Sequence, residues 1–291
     1  MANLLTVRKQ KWVNRFKPDF LRGTALAPNM AVASRYHEKL ESLIRRMTED
    51  VERQLKRLYA GEAAEIYFAE DAAALDADPS ISSQARIVTN ALKKKYEALF
   101  ARNAQEIAES FARQTDAASS KSVHMSVQKL SGGLSLSTAN IDGPLNDIIK
   151  ATVVENVSLI KSIPQQYLTG VQQAVMRSIV GGTGEPDLVK YLLKHKGITY
   201  GRAKTIALDQ TRKAFQGMSN ERVRRLGIKE FEWRHVPSNR PRDFHLHELN
   251  GKIFEYTNPP VIDKMTGEKG LPGQLINCRC MAVPVIKFGE G

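Results

Sequence analysis

Between Met30 and Ala60 the apolar residues Val32, Tyr36, Leu40, Leu43, Ile44, Met47, Val51, Leu55 and Leu58 recur every three or four positions. That spacing collects them on one side of an α-helix roughly 45 Å long. A rod of this length with one apolar side is stable in water only when other helices cover that side, so the feature commits the chain to a body of long packed helices. Asn29 is placed to cap the start and Gly61 to end it.

A second long helix is expected after "DADPS", with Asp78 as cap and Pro79 at the first helical position. Its stripe runs Val88, Leu92, Tyr96, Leu99, Ile107 and Phe111. From about Ala117 to Gly143 the chain is rich in Ser, Gly and Thr, which predicts a loop or hinge. Helices resume at Pro144, again from Gln165 to Val180, from Pro186 to His195, and from about Tyr200 to a stop at Gly227.

Beyond Gly227 the period changes. Phe231, Trp233 and His235 alternate with Glu230, Glu232 and Arg234, the pattern of a half-buried strand. "KIFEY" and "CMAVPVIKF" predict two more. The expected fold class is α+β: a mainly helical N-terminal body with long amphipathic helices and a smaller C-terminal α+β module. The expected divisions are a basic N-terminal arm (1–30), a long-helix region (31–140), a helical region (141–227) and the C-terminal module (228–291).

At 291 residues there is length for two cores. The chain carries 43 Lys and Arg against 31 Asp and Glu, a net +12, which suits polyanionic surroundings such as nucleic acid or a well-solvated surface. Two cysteines make no disulfide framework, so maturation in a reducing compartment, by default the cytoplasm, is expected. No run of about twenty apolar residues is present, and the start "MANLLTVRKQKWVNRFK" lacks a leader's apolar core, so the chain reads as soluble and unprocessed.

Chemistry-bearing residues concentrate near the C-terminus. "GGTGEPD" precedes a helix but lacks the spacing and Lys of a phosphate loop. "HLH" is the His-x-His pattern of some metal hydrolases, but it lacks the further ligands they need. Zinc is the sharper hypothesis, because Cys278 and Cys280 point to one face of an extended chain and His245 or His247 is available to join them. "RPRDFHLHELNG" reads as a short helix, in which His245 and His247 lie roughly 200° apart, so at most one joins the cysteines. Cys-x-Cys is also tighter than the usual zinc spacing. A nucleophilic Cys278 served by His245 is a further alternative, without the strand-turn-helix elbow such a nucleophile favours. The preferred reading is structural: reduced buried thiols, and a His245 that shares a helix face with Leu249 and hydrogen-bonds the "NCRC" segment.

Trp233, Arg240-x-Arg242, His245, Leu249-x-Gly251 and "NPPVIDKMTGEKGLPGQLINCRC" together resemble the C-terminal signature of the phage Mu F-like minor head proteins, or phage head morphogenesis proteins. The resemblance is strongest from Phe231 to Pro284. It extends upstream through "ITYGRAKTIALDQTRKAFQGM", while the first 140 residues agree only in being helical and basic. The interval from histidine to Gly251 is one residue longer than in many members. His245 or His247 therefore fills the family position, and spacing from Arg242 favours His245.

The resemblance implies a virion component present in few copies inside the capsid near the portal vertex, assembled in the host cytoplasm and needed for infectious heads. Its implied partners are the portal protein and packaged double-stranded DNA, with scaffold or major capsid protein as further candidates. It implies no reaction and no cofactor. Related modules joined to toxin domains leave a metal- or thiol-dependent nuclease or transferase, built around His245, Cys278 and Cys280, as the alternative.

Candidate phosphate contacts, sequence-independent and salt-sensitive, are Arg8, Lys9, Lys11, Arg15 and Lys17 in the arm. On the last helix they are Arg202, Lys204, Arg212, Lys213, Arg222, Arg224 and Arg225. Within the signature, Gly251 and Gly273 are expected to permit tight turns, and Pro259, Pro260 and Pro272 to stiffen the loop. Asn277 is expected to pin the loop through backbone hydrogen bonds, and Arg279 to face away from the thiols.

Overall fold

The computed structural model describes residues 20–61, 80–133, 143–182, 184–238 and 240–287. Helix α1 spans Met30–Tyr59, α2 Ile81–Ser131, α3 Pro144–Val180 and α4 Gly184–Arg225. Strand β1 (Phe20–Arg22) precedes them; β2 (Glu230–Arg234), a short π-helix (Phe244–Leu249), β3 (Ile253–Glu255) and β4 (Met281–Lys287) follow. The mainly helical body and small antiparallel α+β module agree with the expected fold class.

The ends of the helices are set by local chemistry. Asn29 caps α1, its Oδ1 accepting from the Ala31 amide at 3.0 Å. Ser80 does the same for α2 through the Ser83 amide; Asp78 and Pro79, the expected start, lie outside the described residues. Helix α4 closes in a Schellman motif, with the Gly227 amide donating to Arg224 O and the Ile228 amide to Val223 O.

Two expected interruptions do not occur, and the loop expected from Ala117 to Gly143 begins later than expected, with residues 134–142 outside the described residues. The Ser-rich stretch from Ala117 to Ser131 is the last third of α2. Val123, Val127 and Leu130 keep the helical spacing there and are all buried, and this apolar stripe outweighs the weak helix preference of the serines. Partners distant along the chain meet some of those serines: Ser126 Oγ donates to Thr24 O at 3.0 Å, and Ser119 lies 3.0 Å from Ser219. Helix α3 runs unbroken through Pro164, and α4 joins the two segments expected on either side of His195.

The chain divides into two compact units that interleave along the sequence rather than follow it. One comprises Ala33–Ser110 and Val153–Ala207. It is helical, and its core holds Leu40, Ile44, Met47, Val51, Leu92, Tyr96, Phe100, Ile160 and Val175, all essentially inaccessible. Inside it Asp50 accepts from Lys95 and Tyr96, each at 2.7 Å, and pairs with Arg53. Burial alone would raise the Asp50 carboxyl, but those hydrogen bonds and the charges of Lys95 and Arg53 hold it below its ordinary range.

The other unit takes the described residues of Met1–Val32, Phe111–Thr152 and Leu208–Gly291. Its four-stranded sheet has the order β1-β4-β2-β3, antiparallel throughout. Strand β2 faces β4 with Phe231 opposite Pro284 and Trp233 opposite Ala282. Pro284 is tolerated because its carbonyl, accepting from Gly23, shows that its missing amide would point past the end of β1. Residues 20–26, part of the expected N-terminal arm, are built into this unit. Phe20–Arg22 form the edge strand, Leu26 is fully buried, and Gln216 Nε2 donates to Leu26 O at 3.0 Å.

Candidate functional site

The signature residues converge on the core of the sheet-bearing unit. Trp233 and Phe231 project from β2 into this core, while Glu232 on the opposite face is held by Arg22 and Arg234. The expected short helix after Pro241 is a π-helix, a geometry uncommon in proteins and enriched at functional sites. It turns His245 and Leu249 inward, at 2% and 4% exposure, and leaves His247 at the surface. The histidine chosen by its spacing from Arg242, His245, is thus the buried one of the pair.

Cys278 and Cys280 lie just before and at the approach to β4. Residues two apart on extended chain share a face, so both thiols enter the core, at 3% and 4% exposure, while Arg279 between them is exposed. His245 Nδ1 lies 3.6 Å from Cys278 Sγ and 3.7 Å from Cys280 Sγ. The three ligand-type atoms fall within 4.8 Å of one another. His245 Nε2 sits 2.9 Å from the carbonyl of Ile262. A proton on Nε2 is donated there, which turns the Nδ1 position toward the sulfurs.

Trp233 closes the cluster from one side, its ring edge-on to His245 at 5.1 Å. On the other side, Arg242, Phe244, His245, Ile262, Lys264 and Ile276 are among the residues lining an open recess of about 430 Å³. The hydrogen bond from Cys280, with that from His245, pushes Cys278 down to about 4 against the effect of burial, and the same contact with Cys278 together with burial pushes Cys280 up. Burial disfavours charge on His245, but its bonds to Cys278 and to the Ile262 carbonyl more than offset this and raise it.

The remaining signature residues hold the loop around this cluster. Gly251 (φ 79°) and Gly273 (φ 85°) occupy left-handed conformations, and a Cβ on Gly273 would approach Gln216 Cγ to 3.1 Å. Asn277 is also left-handed, at φ 61°, and its amide donates to Asp209 Oδ1 at 3.2 Å. Pro272 is buried, and Arg242 donates to Ile276 O at 2.8 Å from an exposed position, whereas Arg240 is exposed. Pro260 contributes its carbonyl to the Gly270 amide, folding the loop back on itself.

One neighbour was missed. His235 Nδ1 lies 3.6 Å from Cys280 Sγ. The strand alternation that places Phe231 and Trp233 on the inner face extends to His235, and that was the available signal.

Two of the proposed phosphate contacts are corrected by burial. The Arg222 guanidinium is 1% exposed and is held by Asp116 at 2.6 Å and Ser119 Oγ at 3.0 Å. Arg212 is likewise buried, and burial, then Arg279, disfavours its charge. An amphipathic helix lets long basic side chains occupy its inner face when partners await them, which spacing alone does not reveal. Arg224 and Arg225 are exposed and pair with Glu221, Lys213 pairs with Asp209, and Arg202 donates to Ser162. Lys204 is exposed. The basic residues from Arg8 to Lys17 lie outside the described residues. No described helix is long and apolar enough to cross a membrane.

Fold and site thus describe a mainly helical chain whose sheet-bearing unit encloses a buried thiol and imidazole cluster. Residues 169–283 match the phage Mu protein F like protein family. The interval contains α4, β2, the π-helix, β3, both cysteines and His245. An uncharacterized protein of Haemophilus influenzae is 32% identical over 256 residues, which cover 88% of this chain and 53% of that relative. The chain therefore spans about half the length of the curated relative it matches. No solved structure matches it.

Proposed function

We propose that the chain is a minor head protein that acts in phage head morphogenesis, seated inside the capsid at the portal vertex. The family match over residues 169–283 carries this reading. What supports it chemically is the use to which the signature is put. His245, Cys278 and Cys280 are 2–4% exposed and serve as the interior of a folding unit. A thiol- or metal-dependent nuclease or transferase would need the nucleophile or an open metal position within reach of substrate.

The net charge of +12 fits a protein that works beside packed DNA. Phosphate contact, in this reading, comes from exposed cations such as Lys204, Arg224 and Arg225 and from the basic N-terminal residues, without sequence preference. The pairing of Arg224 and Arg225 with Glu221 makes each a weaker anion site than a bare arginine.

The experiment is quantitative mass spectrometry of purified empty and DNA-filled particles, with this chain scored against the portal protein. A few copies in both, cross-linked to the portal protein, is the expected result. Absence from particles with abundance in the infected cell would overturn it.

A further inference from the structure

The cluster around His245 has the dimensions of a coordination shell. For bonds of about 2.3 Å to sulfur and about 2.0–2.1 Å to nitrogen at tetrahedral angles, the nitrogen-to-sulfur edges are roughly 3.5 Å. The observed separations are 3.6 and 3.7 Å from His245 Nδ1 to the two sulfurs, and 3.6 Å from His235 Nδ1 to Cys280 Sγ. We propose that this unit holds a structural zinc ion, with Cys278, Cys280, His245 and His235 as its four ligands.

Three of the four are already gathered, since their ligand atoms lie within 4.8 Å of one another in a buried site. His235 approaches Cys280 and is the one that turns in to complete the tetrahedron. It is half-buried, just past the end of β2, where its backbone amide is fixed by Asn250 Oδ1 at 2.9 Å. The far side of the His245 ring is anchored as well. The Ile262 carbonyl takes the Nε2 proton of His245 at 2.9 Å and so presents the Nδ1 lone pair to the metal, the usual arrangement for an imidazole ligand. The recess beside His245 gives the ion a route from solvent.

The charge and proton balance favours a dication. Binding Zn²⁺ requires both sulfurs as thiolates and both imidazoles neutral, with any protons they carry released to solvent, and leaves a neutral site, two thiolates against one doubly charged ion. That is the least costly state for four polar groups in an apolar core. A pair of thiolates with a pair of imidazoles is a tetrahedral zinc set, and four protein ligands leave no position for substrate, which makes the ion a cross-link between β2, the π-helix and β4.

The test uses the full chain, purified without added chelator, with metal measured by elemental analysis. About one zinc per chain is expected. Replacing it with Co²⁺ should give the thiolate-to-metal charge-transfer bands and intense visible bands of a tetrahedral site. Cys278→Ser and Cys280→Ser should abolish both signals. Should those variants not fold, the parent chain still decides the matter, because its two thiols must resist alkylation until zinc is removed. His235→Ala should weaken binding at least tenfold and alter the cobalt spectrum, while His247→Ala should leave both as they are. A chain that takes up no cobalt or zinc with its thiols reduced, or in which Cys278 and Cys280 form a disulfide with each other, overturns the site. An unchanged cobalt spectrum and affinity in His235→Ala overturns the fourth ligand.

Discussion

The two units of this chain are held together in different ways. The helical unit relies on a long, regular stripe of apolar side chains from α1 buried among other apolar side chains, and holds the carboxylate of Asp50 in its interior among several partners. The sheet-bearing unit has short strands of three to seven residues and relies on a few residues far apart in sequence. Trp233, His245, Cys278 and Cys280 meet in its core, and Arg222 ties α4 to the Ser119 end of α2. Distributed packing degrades gradually when one contact is lost, whereas a unit with few cross-links fails when one of them is removed.

The sharpest way to break the contrast is to remove Trp233. Trp233→Ala deletes the largest fully buried side chain and the ring against His245, and should cost about 3–5 kcal/mol by denaturant melting. Arg222→Ala should follow closely, at about 2–4 kcal/mol, because it leaves Asp116 and Ser119 without their guanidinium; Arg222→Lys should recover only part of this. In the helical unit Leu40→Ala should cost about 2–4 kcal/mol, and the loss should be shared with neighbouring stripe positions rather than abolish the unit's hydrogen-exchange protection.

Asp50→Asn should cost about 1–3 kcal/mol and carry a pH signature. A carboxyl held below its unfolded value of 3.8 stabilises the fold above that value, and the contribution is lost as pH falls through its lower folded value. The parent should therefore lose stability across that acidic window more steeply than Asp50→Asn, as read from melting at a series of pH values. The smallest effect belongs to His247→Ala, within about 0.5 kcal/mol, since that side chain is exposed. Its contrast with His245→Ala, which empties a buried position, separates the two histidines of the signature directly.

Much of the site was legible because local rules governed it. That His245 and His247 face different ways followed from helical phase, the common face of Cys278 and Cys280 from strand alternation, and the left-handed Gly251 and Gly273 from what only glycine does easily. Arg222 was misassigned to the surface for the complementary reason. Its place depends on Asp116 and Ser119, about a hundred residues away, and no local pattern reports such partners.

The sequence by itself determined the helix stripes, the caps at Asn29 and Gly227, the change of period at Glu230 and the family signature, all consequences of interactions within a few residues. The tertiary structure alone decided that serines 119 to 131 continue a helix, that Phe20–Arg22 complete a sheet beside β4, and that His235 stands next to Cys280. Each of those outcomes turns on what the rest of the chain supplies: a buried stripe that outweighs weak helix preference, an open strand edge to pair with, or a sulfur brought close by a loop of some forty residues.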